Sequence, residues 1–216
     1  MSRPLPKPTP ELLLQAYAAG VFPMAESRQD PTLHWIDPMR RGVMPIEGFR
    51  ISRSLRRRIL RAEFAVAFDR DFAGVVAGCA DRTETWINDT IHDLSCALHC
   101  MGRAHSVEVR AGGTLAGGVY GVALGGAFFA ESMFSRRTDA SKVALAYLVH
   151  RLRACGFVLM DTQFLTPHLQ SLGGREISRE DYRARLARAL RMPARFDAAT
   201  PPPPPQEVVQ RSTQMS

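Results

Sequence analysis

The chain has 216 residues, 45% hydrophobic and 23% charged, enough for one good core or a core with a small companion domain. Its formal net charge is +7, carried almost entirely by arginine, which favours a polyanionic partner without specifying one. A disulfide framework is excluded, because Cys79, Cys96, Cys100 and Cys155 form no CxxC pair and no regular spacing.

The N-terminal Met1–Pro8 stretch is proline-rich, has no apolar run of signal-peptide type, and is expected to be mobile. Thr9 to Gly20 reads as a helix, with Thr9 as N-cap, Pro10 in the first turn and Gly20 as the stop. Trp35–Pro38 and Arg41–Ile46 are short extended pieces interrupted by proline. Residues 1–48 are therefore expected to form a small N-terminal domain.

Ser52–Arg61 reads as an amphipathic helix with Leu55, Ile59 and Leu60 at helical spacing, leaving Arg53, Arg56, Arg57 and Arg61 largely outside. Those four arginines are either a solvated face or a phosphate-contacting patch, which by the resemblance below would bind tRNA. Phe64–Phe68 alternates as a strand, and Asp71–Ala80 and Asp89–Met101 are helices. On the second of these, His92, Cys96 and Cys100 share a face, but the outer two stand about 12 Å apart, too far for one metal ion.

Ser106–Arg110 and Leu115–Leu124 form a hairpin around Gly112-Gly113, followed by a strand over Ala127–Met133. The uncharged run from Ala111 to Ala130 is the one membrane candidate, but its glycines and missing basic anchors argue against a spanning helix. Asp139 is expected to cap a helix over Ala140–Cys155. Phe157–Met160 then supplies a buried strand and Asp181–Leu190 a closing helix. Residues 49–195 form the larger domain, and 196–216, with five consecutive prolines, a disordered tail. This order of elements gives an α+β layered fold with a partly antiparallel sheet.

Two carboxylates, Glu131 and Asp161, stand where apolar strands end, positions at which an unpaired buried charge is costly. Gln163 lies two residues beyond Asp161 and shares its face if the strand continues. Leu145, Leu148 and Leu152 share one face of the helix after Asp139, with Phe128 on the preceding strand.

Several ordered motifs resemble the leucyl/phenylalanyl-tRNA–protein transferases: Gly20–Met24, Trp35–Arg40, Ile51–Ser54, Trp86-Ile87, Ala104–Val109, Gly125–Arg136, Ala140–Leu145 and Asp161–Gln163. Together they cover most of residues 11–186. The resemblance implies an acetyltransferase-like (GNAT) fold for the larger domain. It also implies transfer of Leu or Phe from aminoacyl-tRNA to the N-terminal Arg or Lys of acceptor proteins, marking them for N-degron degradation in the cytoplasm.

The aminoacyl ester is already activated, so no cofactor, ATP or metal is required. Asp161 and Gln163 match the family's catalytic pair, and Glu131 a carboxylate that holds a cationic group. Phe128, Leu145 and Leu148 match the amino-acid pocket, with Leu152 extending it. Trp35 and Trp86 are suited to the terminal adenine or the amino acid, and Ser135 belongs with the substrate-binding residues. Met24 and Ser95 depart from the family pattern, which commonly has Trp and an aromatic residue there. The competing readings are an acyl-CoA N-acetyltransferase and a non-catalytic RNA-binding module. Against the first, Ser135–Ser141 lacks the glycines of a pyrophosphate loop.

Overall fold

A computed structural model describes residues 8–210. Helix α1 (Pro10–Ala18) starts as expected, with the Thr9 side chain accepting from the Leu12 N–H. Strand β1 (Phe22–Met24) then pairs antiparallel with β2 (His34–Ile36). Next come β3 (Arg40–Met44), α2 (Arg53–Leu60), β4 (Ala65–Phe68), α3 (Phe72–Ala80) and α4 (Asp89–Cys100). The long β5 (Ala104–Ala111), β6 (Thr114–Leu124) and β7 (Ala127–Ser135) follow, and α5 (Ala140–Ala154) crosses over to β8 (Leu159–Gln163). The remaining elements are α6 (Pro167–Ser171), β9 (Arg175–Ser178), α7 (Arg179–Leu190) and α8 (Pro205–Gln210).

Seven strands form one mixed sheet in the order β4-β5-β6-β7-β8-β3-β9. Every neighbour pair is antiparallel except β7 and β8, whose parallel pairing requires the α5 crossover. Both faces are covered, so the chain has the layered α+β architecture expected. Phe128 and Met160 enter one core with Leu55 and Ile59 of α2 and the apolar residues of α5. Phe129 and Leu159, one residue away on each strand, enter the other core with Leu13, Tyr17, Tyr182 and the apolar faces of α3 and α4. This is the period-two alternation of strands buried on both sides.

Two irregularities prepare the site. Tyr120 lies opposite Ser132 and Gly121 opposite Ala130, which leaves Glu131 as an extra, bulged residue of β7. Val43 lies opposite Asp161 and Gly42 opposite Gln163, so Thr162 is the extra residue of β8. The β7–β8 ladder ends at the pair Phe129 and Asp161, although β7 continues to Ser135.

Three expectations need correction. The boundary at residue 48 does not separate two folding units, because β3 is hydrogen-bonded between β8 and β9 in the large sheet. What remains apart from that sheet is α1 with the β1–β2 pair. Asp139 does not cap α5 through its side chain: it adopts φ 67° and its carboxylate takes the Lys142 ammonium at 2.9 Å. The Ser135 hydroxyl accepts the Ser141 N–H there instead.

The tail is also ordered over most of its length. Phe196 stacks on His105, and Val208 and Val209 are buried against the α2–α5 core. Arg151, itself buried, donates to the carbonyls of Thr200 and Pro201. The prolines space this segment along the surface, and the apolar pair after them supplies the anchor. Residues 1–7 and 211–216 lie outside the described residues. Deleting everything from Pro201 onward should therefore lower stability, because burying two valines is worth about 3 kcal/mol or more. Chemical denaturation reads this directly, and an unchanged midpoint would show that α8 contributes nothing.

Candidate active site

At the end of β8, Asp161 is completely buried, yet all its acceptor capacity is used. Arg41 reaches it from β3 in a forked arrangement, Nε to Oδ1 at 2.9 Å and Nη2 to Oδ2 at 2.6 Å. The Tyr182 hydroxyl of α7 donates to Oδ2 at 2.7 Å, and the Gln163 backbone N–H donates to Oδ1 at 2.7 Å. Arg41 is itself 1% exposed. Its guanidinium lies between the rings of Phe22 and Tyr182, 4.5 and 4.4 Å from their centroids, and donates to the Gly20 carbonyl at 3.0 Å. A fully paired carboxylate of this kind is a structural anchor. A substrate amine can reach it only by displacing one of these donors.

The anchor fixes Gln163. Its φ of 61° is a conformation that a residue with a Cβ rarely adopts, and the hydrogen bond from its N–H to the Asp161 side chain closes the turn that holds it. Gly42 opposite is needed for the close approach: a Cβ there would meet the backbone of Phe164 at 2.7 Å. So held, Gln163 donates from Nε2 to Glu131 Oε1 at 3.0 Å, across the point where β7 and β8 cease to pair.

Glu131 is the group in this cluster that is ready to exchange a proton. Burial pushes its pKa up to about 7, and the Asp161 charge adds to that shift. Hydrogen bonds from Tyr17 and Gln163, and the Arg41 charge, pull it back. Tyr17 comes from α1, packed at 4.7 Å on the Phe129 ring, and burial followed by Glu131 keeps its hydroxyl far above the ordinary range. A carboxyl group poised near neutral pH between two neutral donors suits general acid–base work.

A model of the leucyl/phenylalanyl-tRNA protein transferase family matches residues 43–187, and a model of that family's N-terminal domain matches residues 7–39. The chain belongs to this family. A leucyl/phenylalanyl-tRNA–protein transferase of Cereibacter sphaeroides is 63% identical over 211 residues, 98% of this chain and 99% of that protein. One of Roseobacter denitrificans is 63% identical over 208 residues, 96% of this chain and 99% of that protein. Among solved structures, a GCN5-related N-acetyltransferase from Kribbella flavida matches 65% of this chain and 55% of its own, at 13% identity and a TM-score of 0.43. That likeness is too distant to carry any weight.

In this member of the leucyl/phenylalanyl-tRNA protein transferase family, Glu131, Asp161 and Gln163 converge as expected, but the expected apolar pocket does not join them. Phe128, Leu145, Leu148 and Leu152 are at most 1% exposed and belong to the core on the opposite face of the sheet. Phe128 packs edge-on against Phe157, as a core residue does. The α2 arginines also lie outside that face: Arg53, Arg56, Arg57 and Arg61 are exposed on a helix packed against α5 and α8.

Trp35 is 41% exposed and pairs with Pro23 across the β1–β2 ladder, while the Trp86 carbonyl accepts from Ala25. Both tryptophans thus flank the short β1 strand, on the α1 side of the molecule. Ser135 stands at the far end of β7, in the mouth of an open cavity. Among the described residues, one group has ligand atoms close enough for a metal ion, Glu26, Asp30 and His34. Glu26 and His34 are largely exposed there, and the group is not part of the Glu131 cluster.

Sequence reasoning missed Arg41, Tyr17 and Tyr182. Arg41 had a signal, an arginine entering the apolar run Gly42-Val-Met44. Buried charge in a strand demands a partner, and Asp161 was the carboxylate equally out of place.

Proposed function

We propose that the chain transfers Leu or Phe from the 3′ end of aminoacyl-tRNA to the N-terminal Arg or Lys of an acceptor protein. The observation that carries the reaction is the identity of 63% along nearly the whole chain with leucyl/phenylalanyl-tRNA–protein transferases. Addition of Leu or Phe in this way would mark the acceptor as an N-degron.

The chemistry needs an amine, an ester and a proton carrier. The acceptor's α-amino nitrogen attacks the ester carbonyl carbon, and Glu131 as carboxylate takes the proton that the amine must lose. The amide of Gln163 has a second N–H to offer the oxyanion, while its first remains on Glu131. Collapse breaks the carbon–oxygen bond to the ribose, and the proton on Glu131 passes to the departing ribose oxygen. The new peptide bond and free tRNA leave with Glu131 again ionised. Asp161, Arg41 and Tyr182 are positioning residues in this scheme, because they act through Gln163. Trp35 and Trp86 are the candidates to contact the terminal adenosine or the amino acid, since stacking on an exposed ring is sequence-tolerant.

Incubating the protein with labelled Leu-tRNA and a peptide beginning with Arg should move label to the peptide without ATP. Label that remains on tRNA, or moves only from acetyl-CoA to the peptide, would reject this function. Binding of the tRNA should weaken with salt. Arg56→Glu with Arg57→Glu should make the slope of log affinity against log salt shallower, by about one for each phosphate these arginines neutralise. An unchanged salt slope would remove α2 from the tRNA footprint.

A further inference from the structure

Beyond Glu131, β7 outruns β8, and an open cavity of about 390 Å³ lies at its end. Arg82 from the end of α3 and Arg136 just past β7 supply two exposed guanidiniums. Arg136 lies over the Phe134 ring at 5.1 Å and meets Asp81, the acidic residue in the lining, at 3.3 Å. Arg82 donates to the Met133 carbonyl. Across the cavity stands the N-terminus of α5, a 15-residue helix whose Ser141 N–H goes to the Ser135 hydroxyl and whose other first-turn N–H groups take no cap from Asp139. Ser141 of its first turn lines the space, and Asp139 is neutralised by Lys142. The helix dipole there adds partial positive charge.

His168 of α6 lines the same cavity, and its Nε2 is buried without a hydrogen-bond partner. Burial, with Lys142 nearby, holds its pKa below the ordinary value, which keeps the imidazole toward its neutral form. Two guanidiniums and a helix N-terminus outweigh the single carboxylate of Asp81. This is the donor set of a phosphate site.

We infer that this cavity takes the 5′-phosphate of the terminal nucleoside whose ester is cleaved at Glu131. The inference rests on the transfer reaction proposed above. The spacing allows it: at about 3.3 Å per residue, Met133 to Ser135 stand roughly 7–13 Å from Glu131 along one strand, a gap spanned by the roughly 6 Å from the acylated ribose oxygen to the 5′-phosphate together with the length of an arginine side chain reaching back from Arg82 or Arg136. The α2 arginines are not needed for this contact. They lie on a different element, which packs against α5 and α8.

Two small esters test it, 3′-O-leucyl-adenosine and the same compound carrying a 5′-phosphate, each with an Arg-initial peptide. The phosphorylated ester should be preferred in kcat/KM by about tenfold or more, the usual scale for a charge-assisted contact. Arg82→Gln with Arg136→Gln should bring the ratio close to one, while Arg185→Gln with Arg188→Gln, on the exposed side of α7, should leave it intact. The single substitutions are measured as well, and each should reduce the ratio. Equal rates for the two esters in the unaltered protein would overturn the inference, as would a preference that survives both arginine changes. If neither ester transfers leucine, and Leu-tRNA does not either, it is the reaction itself that fails.

Discussion

Asp161→Asn should destabilise the fold by about 3–5 kcal/mol, the usual result of breaking a buried ion pair from one side. The asparagine keeps the shape but leaves the Arg41 guanidinium, 1% exposed, without its counter-charge. At roughly 2–4 °C per kcal/mol for a chain of this size, melting should fall by about 10 °C or more. Turnover should fall too, because the amide keeps a single acceptor oxygen where Arg41, Tyr182 and the Gln163 N–H now share two, and the turn that holds Gln163 at φ 61° loosens. Replacing both partners by apolar residues, Arg41→Met with Asp161→Leu, should restore much of the melting temperature but not the turnover. A single Asn variant that melts within about 2 °C of the parent would contradict the anchoring role, since no buried charge would then have been exposed.

Glu131→Gln should do the reverse. With its carboxylate gone the amine has no proton acceptor, and turnover should fall by about a hundredfold or more. Stability should not fall with it above neutral pH. The folded pKa of about 7 lies above the ordinary glutamate value, so the fold favours the neutral form. Below about pH 4 the group is neutral whether folded or not and costs nothing. As pH rises toward 7 the unfolded chain ionises first, and the protein loses roughly 3 kcal/mol relative to the Gln variant. Above pH 7 that difference stays constant. Paired denaturation curves at pH 5 and pH 8 check the sign: the variant should gain on the parent at the higher pH. A gap that does not change between them would mean Glu131 titrates normally.

Periodicity and turn chemistry located the long elements. Thr9-Pro10, the Gly112-Gly113 hairpin and the α5 crossover all carry local signals, and the structure follows them. The short elements carry weaker ones, such as the Thr166-Pro167 start of α6. β9 and α6 are too brief for periodicity to register, and α8 owes its order to Val208 and Val209 reaching a core far away in sequence. Burial at the site was partly legible, since carboxylates at Glu131 and Asp161 interrupt apolar strands. Their roles were not. Both read alike in sequence, and what divides them is Arg41, 120 residues from Asp161 along the chain. The apolar stripe carries a related ambiguity. Leu145, Leu148 and Leu152 share a helix face that a ligand or a core would use equally well, and only the sheet decides which side of it they occupy.

The most direct test of this division of labour is the pH dependence of kcat, measured from pH 5.5 to 9 with both substrates saturating. The parent protein should show a rising limb with an apparent pKa near 7, the value burial gives Glu131. In Glu131→Gln the residual rate should lose that limb and follow only the acceptor amine, near pH 8. A limb near 7 that survives unchanged in the Gln variant would place the proton on some other group and contradict the account.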